Sequence, residues 1–275
     1  MDFNLMTSLL LTLRYLLIFW VIPVVSILAL TYISRSSEKA LGSTIIGPKS
    51  EIYFGYLGVI VHELSHMIMC IIFNHRIVSF KLLVMPWNLD EQTQSPSLGY
   101  VNHSYATNSA YQSLGNAFIG TAPIYGCTAA LYFIYKYLTP NFYNLLRKSI
   151  ENLLNNPSSF SITSVINFFQ EWISLFNLDF KTIGVSIVVF YLVVNITLTG
   201  FDLSTKDLQG SYKAAKALLI IMAIIFFGIA ILKLNFLIDN LLLKVAMWIL
   251  AMLLLSLLNS LAINLLSRIV HFYLS

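Results

Sequence analysis

The chain has 275 residues, 58% of them hydrophobic and only 10% charged, with a mean hydropathy of +0.79. A soluble domain carries about 25% charged residues, so this composition excludes one and points to an integral membrane protein, read here as a single membrane domain over 1–275. The net charge of +4 suits loops facing anionic headgroups and gives no case for nucleic acid.

A spanning helix needs about 20 apolar residues. The first candidate runs from Leu9 or Tyr15 to Ile33, with Pro23 as a possible kink, and no cleavable signal peptide is evident. A polar segment over Ser34–Ser50 follows. The second span covers Tyr53–Phe73. After it, Arg76–Met85 and Leu98–Tyr105 are β-prone, joined by a turn-rich stretch holding Pro86, Asp90, Glu91 and Pro96. A β-hairpin or re-entrant loop is expected there, with an edge suited to strand addition; an ordinary solvent loop is the plainer alternative. The third span, Leu114–Leu138, is rich in small residues (Gly115, Gly120, Ala122, Gly126) and contains Pro123. Residues 139–181 are mostly polar, except that Phe160–Phe176 has the pattern of an interfacial helix. Spans four to six follow at Ile183–Leu198, Ala214–Leu232 and Leu241–Ile269. The fold class is therefore an all-α polytopic membrane protein of about six transmembrane helices, and the plasma membrane is its expected location. Lys/Arg counts leave the orientation open. Cys70 and Cys127 lie in apolar spans and read as packing residues.

Within the second span stands His62-Glu63-Leu64-Ser65-His66. On a helix, positions four apart share a face, so the two imidazoles converge. Two neutral histidines so placed can hold zinc, with Glu63 beside them as general base toward water. The same pentapeptide on a soluble helix is often no more than a solvated face. In a lipid-embedded helix no such face exists, and polar residues there are costly, which favours a functional role over a structural polar cluster.

A catalytic zinc takes a third protein ligand and keeps one position open. Glu91 stands between prolines in poor helix context. His75 is close along the chain, and His103 and His271 are further imidazoles. Asp202 and Asp207, which follow a span carrying Asn195 and Thr199, are better placed to approach from a neighbouring helix.

With these residues in view, the chain resembles the site-2-protease family of intramembrane zinc metalloproteases. The resemblance rests on the order of motifs over 53–216: a membrane-embedded H-E-x-x-H, a Gly/Pro-rich span and a later aspartate. It implies a metalloprotease core holding one zinc ion through His62, His66 and an aspartate, with Glu63 catalytic. The family's N-x-x-P-x-P-x-L-D-G motif is only partly matched by Asn195–Asp202, which lacks the prolines and the final glycine. Ser204, Asp207 and Gly210 fit an S-x-x-D-x-x-G variant, which favours Asp207 as the third ligand with Asp202 as the alternative. Ser204-x-x-Asp207 also reads as a helix capping box. Asn195 and Asn116 are candidates for binding substrate backbone, or equally for helix–helix hydrogen bonds. The implied substrate is a transmembrane or membrane-proximal segment of a protein or peptide. The alternative function is a non-proteolytic metal-binding membrane protein or transporter; the scarcity of acidic residues in the last two spans argues mildly against an ion pathway.

Overall fold

The computed structural model describes residues 5–44, 50–84, 98–156, 161–175 and 179–274. Six helical stretches are long and apolar enough to cross a bilayer: Leu5–Gly42, Tyr53–Ile72, Ala110–Leu138, Phe180–Thr199, Thr205–Ile231 and Leu243–Leu274. With a two-stranded sheet beside them, they make an all-α polytopic membrane protein.

The first rod consists of α1 (Leu5–Leu16) and α2 (Ile22–Gly42), joined by a π-helical turn over Leu17–Val21. Pro23 follows that widened turn and does not break the rod. The rod also runs past Ile33 through the segment expected to be an extramembrane link. Its serines are the reason. Ser34 and Ser37 are buried, Ser34 donating to Leu198 O at 2.6 Å and Ser37 to Ile33 O. Hydroxyls satisfied this way can continue a helix against a neighbour at little cost.

Helix α3 (Ser50–Ile72) carries His62 and His66 and ends in a left-handed residue, Asn74 (φ 56°). Asn tolerates this conformation, and the His75 N–H reaches back to Cys70 O at 2.8 Å to close the helix. The chain then enters the expected hairpin. Strand β1 (Arg76–Lys81) pairs antiparallel with β2 (Tyr100–Ser104), and a bulge lies between Ile77 and Ser79. The turn expected around Pro86–Pro96, with Asp90 and Glu91, lies outside the described residues.

Helix α4 (Ala110–Leu138) follows. The polar stretch after it holds a helix the sequence pattern did not show, α5 (Pro140–Asn155), started by Pro140 in the first turn. The expected interfacial helix is α6 (Ile162–Ser174), capped by Ser161. Its Phe168 and Trp172 rings pack against Phe142 of α5. Helix α7 (Phe180–Thr199) leads through Gly200–Leu203 into α8 (Thr205–Ile231), and a π-helical turn over Ile238–Leu242 leads into α9 (Leu243–Leu274). Helix α8 begins at Thr205 rather than near Ala214, because Ser204 caps it and its polar first turns are still helical.

Small residues set the spacing of the bundle. A Cβ on Gly58 would stand 2.6 Å from Asn195 O and 2.8 Å from Gly200 N, so α3 and α7 touch backbone to backbone. A Cβ on Gly115 would stand 2.6 Å from the Phe73 ring, and one on Gly126 would collide with Ser65. Close approach through glycine is the usual packing device where lipid supplies no hydrophobic drive.

Candidate metal centre

His62, Glu63 and His66 are all buried, at 8%, 8% and 6% exposure. Each imidazole is held from behind by a backbone carbonyl. His62 Nδ1 lies 3.1 Å from Gly200 O, and His66 Nδ1 lies 2.8 Å from Ile119 O. Both carbonyls are available for identifiable reasons. Gly200 is the C-cap of α7, where carbonyls run out of helical donors. Ile119 sits four residues before Pro123, which has no N–H to give it. The proline in α4 therefore frees the oxygen that fixes His66.

A carbonyl only accepts, so each Nδ1 carries the ring proton and each neutral ring directs its Nε2 lone pair inward. The two Nε2 atoms are 3.2 Å apart. Two acceptors at that distance repel unless a positive charge is shared between them. Nitrogens about 2.0–2.1 Å from a tetrahedral zinc stand about 3.3 Å from each other, which fits the observed separation.

Asp207 completes the group. Its Oδ1 is 3.4 Å from His66 Nε2, its Oδ2 is 4.0 Å from His62 Nε2, and one ligand atom from each residue lies within 4.8 Å of the others. The capping box is also present. Asp207 Oδ2 accepts from Ser204 N at 2.8 Å, while Ser204 Oγ accepts from Asp207 N. Capping fixes the carboxylate and leaves Oδ1 turned toward the histidines. Among the described residues, these three form the one group of His, Cys, Asp and Glu suited to a metal ion.

Asp202, the alternative ligand, is placed elsewhere. Its Oδ1 accepts from Arg35 Nη2 at 2.9 Å and Nε at 3.1 Å. Asn195 is wholly buried and donates to Tyr191 O one turn back in its own helix, while its Oδ1 has no hydrogen-bond partner among the described residues. Asn116 is half-buried and caps its own turn through Ser113 O. Its backbone carbonyl accepts from Ser211, one turn beyond Asp207.

The hairpin borders the group. A Cβ on Gly99, just before β2, would stand 2.7 Å from Glu63 Cγ and 3.1 Å from Glu63 Oε1. The Glu63 carboxyl has no hydrogen-bond partner among the described residues, so it is free to handle a proton. His75 and His103, weighed as ligands from sequence, bind each other instead, Nδ1 to Nδ1 at 3.0 Å. His75 Nε2 faces Gln112 O at 2.9 Å and must donate to it. A neutral His75 therefore accepts from the Nδ1–H of His103, whose Nε2 keeps its lone pair. The alternation of β2 turns Val101 and His103 to the half-buried face, the same side as Gly99. Only this pairing across the hairpin could have singled His103 out, and it is invisible in the chain's order.

No protein-family model, curated protein or solved structure matches the chain. Fold and site thus define its class: a six-span membrane protein with two buried histidines clustered on a partly buried aspartate.

Proposed function

We propose that this chain is an intramembrane zinc metalloendopeptidase, a divergent relative of the site-2 proteases it resembles in sequence. The observation that supports this best is the convergence of two inward-facing Nε2 lone pairs and the Asp207 Oδ1 beside an unpartnered, buried Glu63. His62, His66 and Asp207 would hold the zinc ion, which would supply Lewis acidity toward a scissile carbonyl and make water easier to deprotonate. Glu63 takes the proton from the attacking water and passes it to the leaving amine. Gly200 O and Ile119 O keep both imidazoles in the binding tautomer. The substrate must lose helical structure, since a helix shields its peptide bonds. The hairpin suits that need: each strand of a two-stranded sheet has an edge, and an extended segment added there would run past Gly99 and Glu63.

The test pairs metal analysis with cleavage of a single-span model protein in liposomes. Wild type is expected to carry one zinc per chain and to cut the substrate. Glu63→Gln is expected to keep the zinc and lose cleavage, while His62→Ala loses both. A Glu63→Gln protein that still cleaves would end the protease reading. Zinc binding without cleavage by wild type would favour the metal-binding alternative, which the same ligand cluster also supports.

A further inference from the structure

The C-terminal parts of α2 and α9 run side by side in parallel. Asn264 meets Ser37, Arg268 meets Ser36, and His271 meets Ser43 near the helix ends. Between them opens a cleft of about 380 Å³, lined by Tyr32, Arg35, Ser36, Lys39, Arg268 and His271. That volume lies within the roughly 300–1,000 Å³ of small-ligand sites. Three permanent cations and an imidazole converge on it, and among the described residues the carboxylate paired with one of them is Asp202, on Arg35.

Cations in the last turn of a helix ordinarily offset the helix dipole, and Lys39 and His271 are so placed. Arg35 and Arg268 go further. Each guanidinium is held in a fixed plane, Arg35 by Asp202 and Leu203 O, Arg268 by Asn264 Oδ1 and Ser36 Oγ. A guanidinium has five N–H donors, so both keep donors to spare. Lys39 has no acidic partner among the described residues. The cleft thus presents fixed guanidinium donors and an ammonium together.

Its place at the helix ends points to the source of the anion. A 38-residue rod is about 57 Å long, against about 30 Å of hydrocarbon, so such a rod must reach past the hydrocarbon into a headgroup layer, and the cations of the cleft gather toward the C-terminal ends of α2 and α9. On the helix faces below the cleft, at three-, four- and seven-residue spacing, lie exposed apolar side chains: Val25 and Leu28 under Tyr32, Leu261 and Leu265 under Arg268. We propose that this cleft binds the phosphate of an anionic membrane lipid, with its acyl chains along those apolar rows.

The experiment is native mass spectrometry of the full chain in detergent with added phosphatidylglycerol, phosphatidylcholine or inorganic phosphate. Wild type is expected to retain phosphatidylglycerol over phosphatidylcholine. The double variant Lys39→Gln/Arg268→Gln is expected to bind it about thirtyfold more weakly, the effect of two interfacial cations. The control Arg147→Gln/Lys148→Gln, on exposed α5, is expected to bind as wild type. Thermal unfolding checks that each variant is folded. If the double variant does not fold, Lys39→Gln alone carries the test, since its ammonium has no acidic partner among the described residues. Equal retention of both lipids by wild type, or unchanged binding in the folded variant, would overturn the proposal. So would retention of inorganic phosphate in place of the lipid, which would assign the cleft to a free anion.

Discussion

At the scale of single residues, the metal cluster depends on oxygens that belong to other helices. Pro123 is the clearest case. Replaced by alanine, position 123 regains an N–H that can bond to Ile119 O, and His66 loses sole claim to that carbonyl. The helix is expected to become more regular while zinc affinity falls about 10–100-fold, the usual effect of losing a histidine's outer partner. Competition with a chelator measures this, and unchanged affinity would show that the carbonyl does not matter. His103 gives a second expectation. Burial first, then the neighbouring His75 and His66, hold its imidazole below the usual 6.5, with Asp207 opposing. The neutral form is thus favoured in the folded state. Its stabilising share is present above pH 6.5 and is lost as the pH falls through the lowered value. Amide exchange of Tyr100–Ser104 should quicken between pH 7 and 5 relative to that of α3. Exchange that stays flat over this range would remove His103 from the account.

Among the helices and strands, fit between backbones matters more than hydrophobic pattern. Gly58 illustrates it: an alanine methyl there meets Asn195 O and Gly200 N, both backbone atoms that cannot rotate away. Gly58→Ala is expected to cost about 1–3 kcal/mol, as overpacking does, and to shift Gly200 O away from His62. A lowered unfolding temperature together with weakened zinc binding is the expected pair of results; an unchanged unfolding temperature would refute the close contact. The sequence showed that spans three and four were rich in small or polar residues, and it pointed to an aspartate after the fourth span as the partner of the H-E-x-x-H helix. It could not show which carbonyl Pro123 releases, because that depends on α3 lying against α4. The extension of α2 to Gly42 was hidden for a related reason. Ser34 and Ser37 look like linker residues until Leu198 O and the turn before them take their hydroxyls. Helix α5 was hidden because its charges and asparagines mask an amphipathic face, which shows only once Phe142 and Tyr143 meet α6, α4 and α9. The hairpin was legible as one of the open readings, because β-prone stretches either side of a turn-rich one suit a hairpin and an ordinary loop alike, and only the pairing of Arg76–Lys81 with Tyr100–Ser104 decides between them.

Across the whole molecule, the first rod is tied to the middle of the chain by Arg35. Its guanidinium grips Asp202 and Leu203 O in the short link between α7 and α8. That link has two metal-facing ends: Gly200 O behind His62, and Ser204, which aims Asp207. The Arg35–Asp202 pair therefore acts on the metal cluster without touching it, while Asp207 acts directly. The two aspartates that the sequence left in competition thus call for different outcomes on substitution. Asp202→Asn weakens a pair in which two arginine donors share the one oxygen Oδ1 and the arginine side chain is 38% exposed, which is worth about 1 kcal/mol. Zinc affinity should fall less than about tenfold, since 1.4 kcal/mol is one decade. Asp207→Asn removes a charged ligand and should leave the two histidines with little affinity of their own. Arg35→Gln should weaken zinc binding at least as much as Asp202→Asn, since it also loses the bond to Leu203 O, and the double variant should be no worse than Arg35→Gln alone, because the Arg35–Asp202 pair is removed only once. Metal titrations of the four proteins decide the matter. Loss of zinc in Asp202→Asn with retention in Asp207→Asn would reverse the assignment of the third ligand.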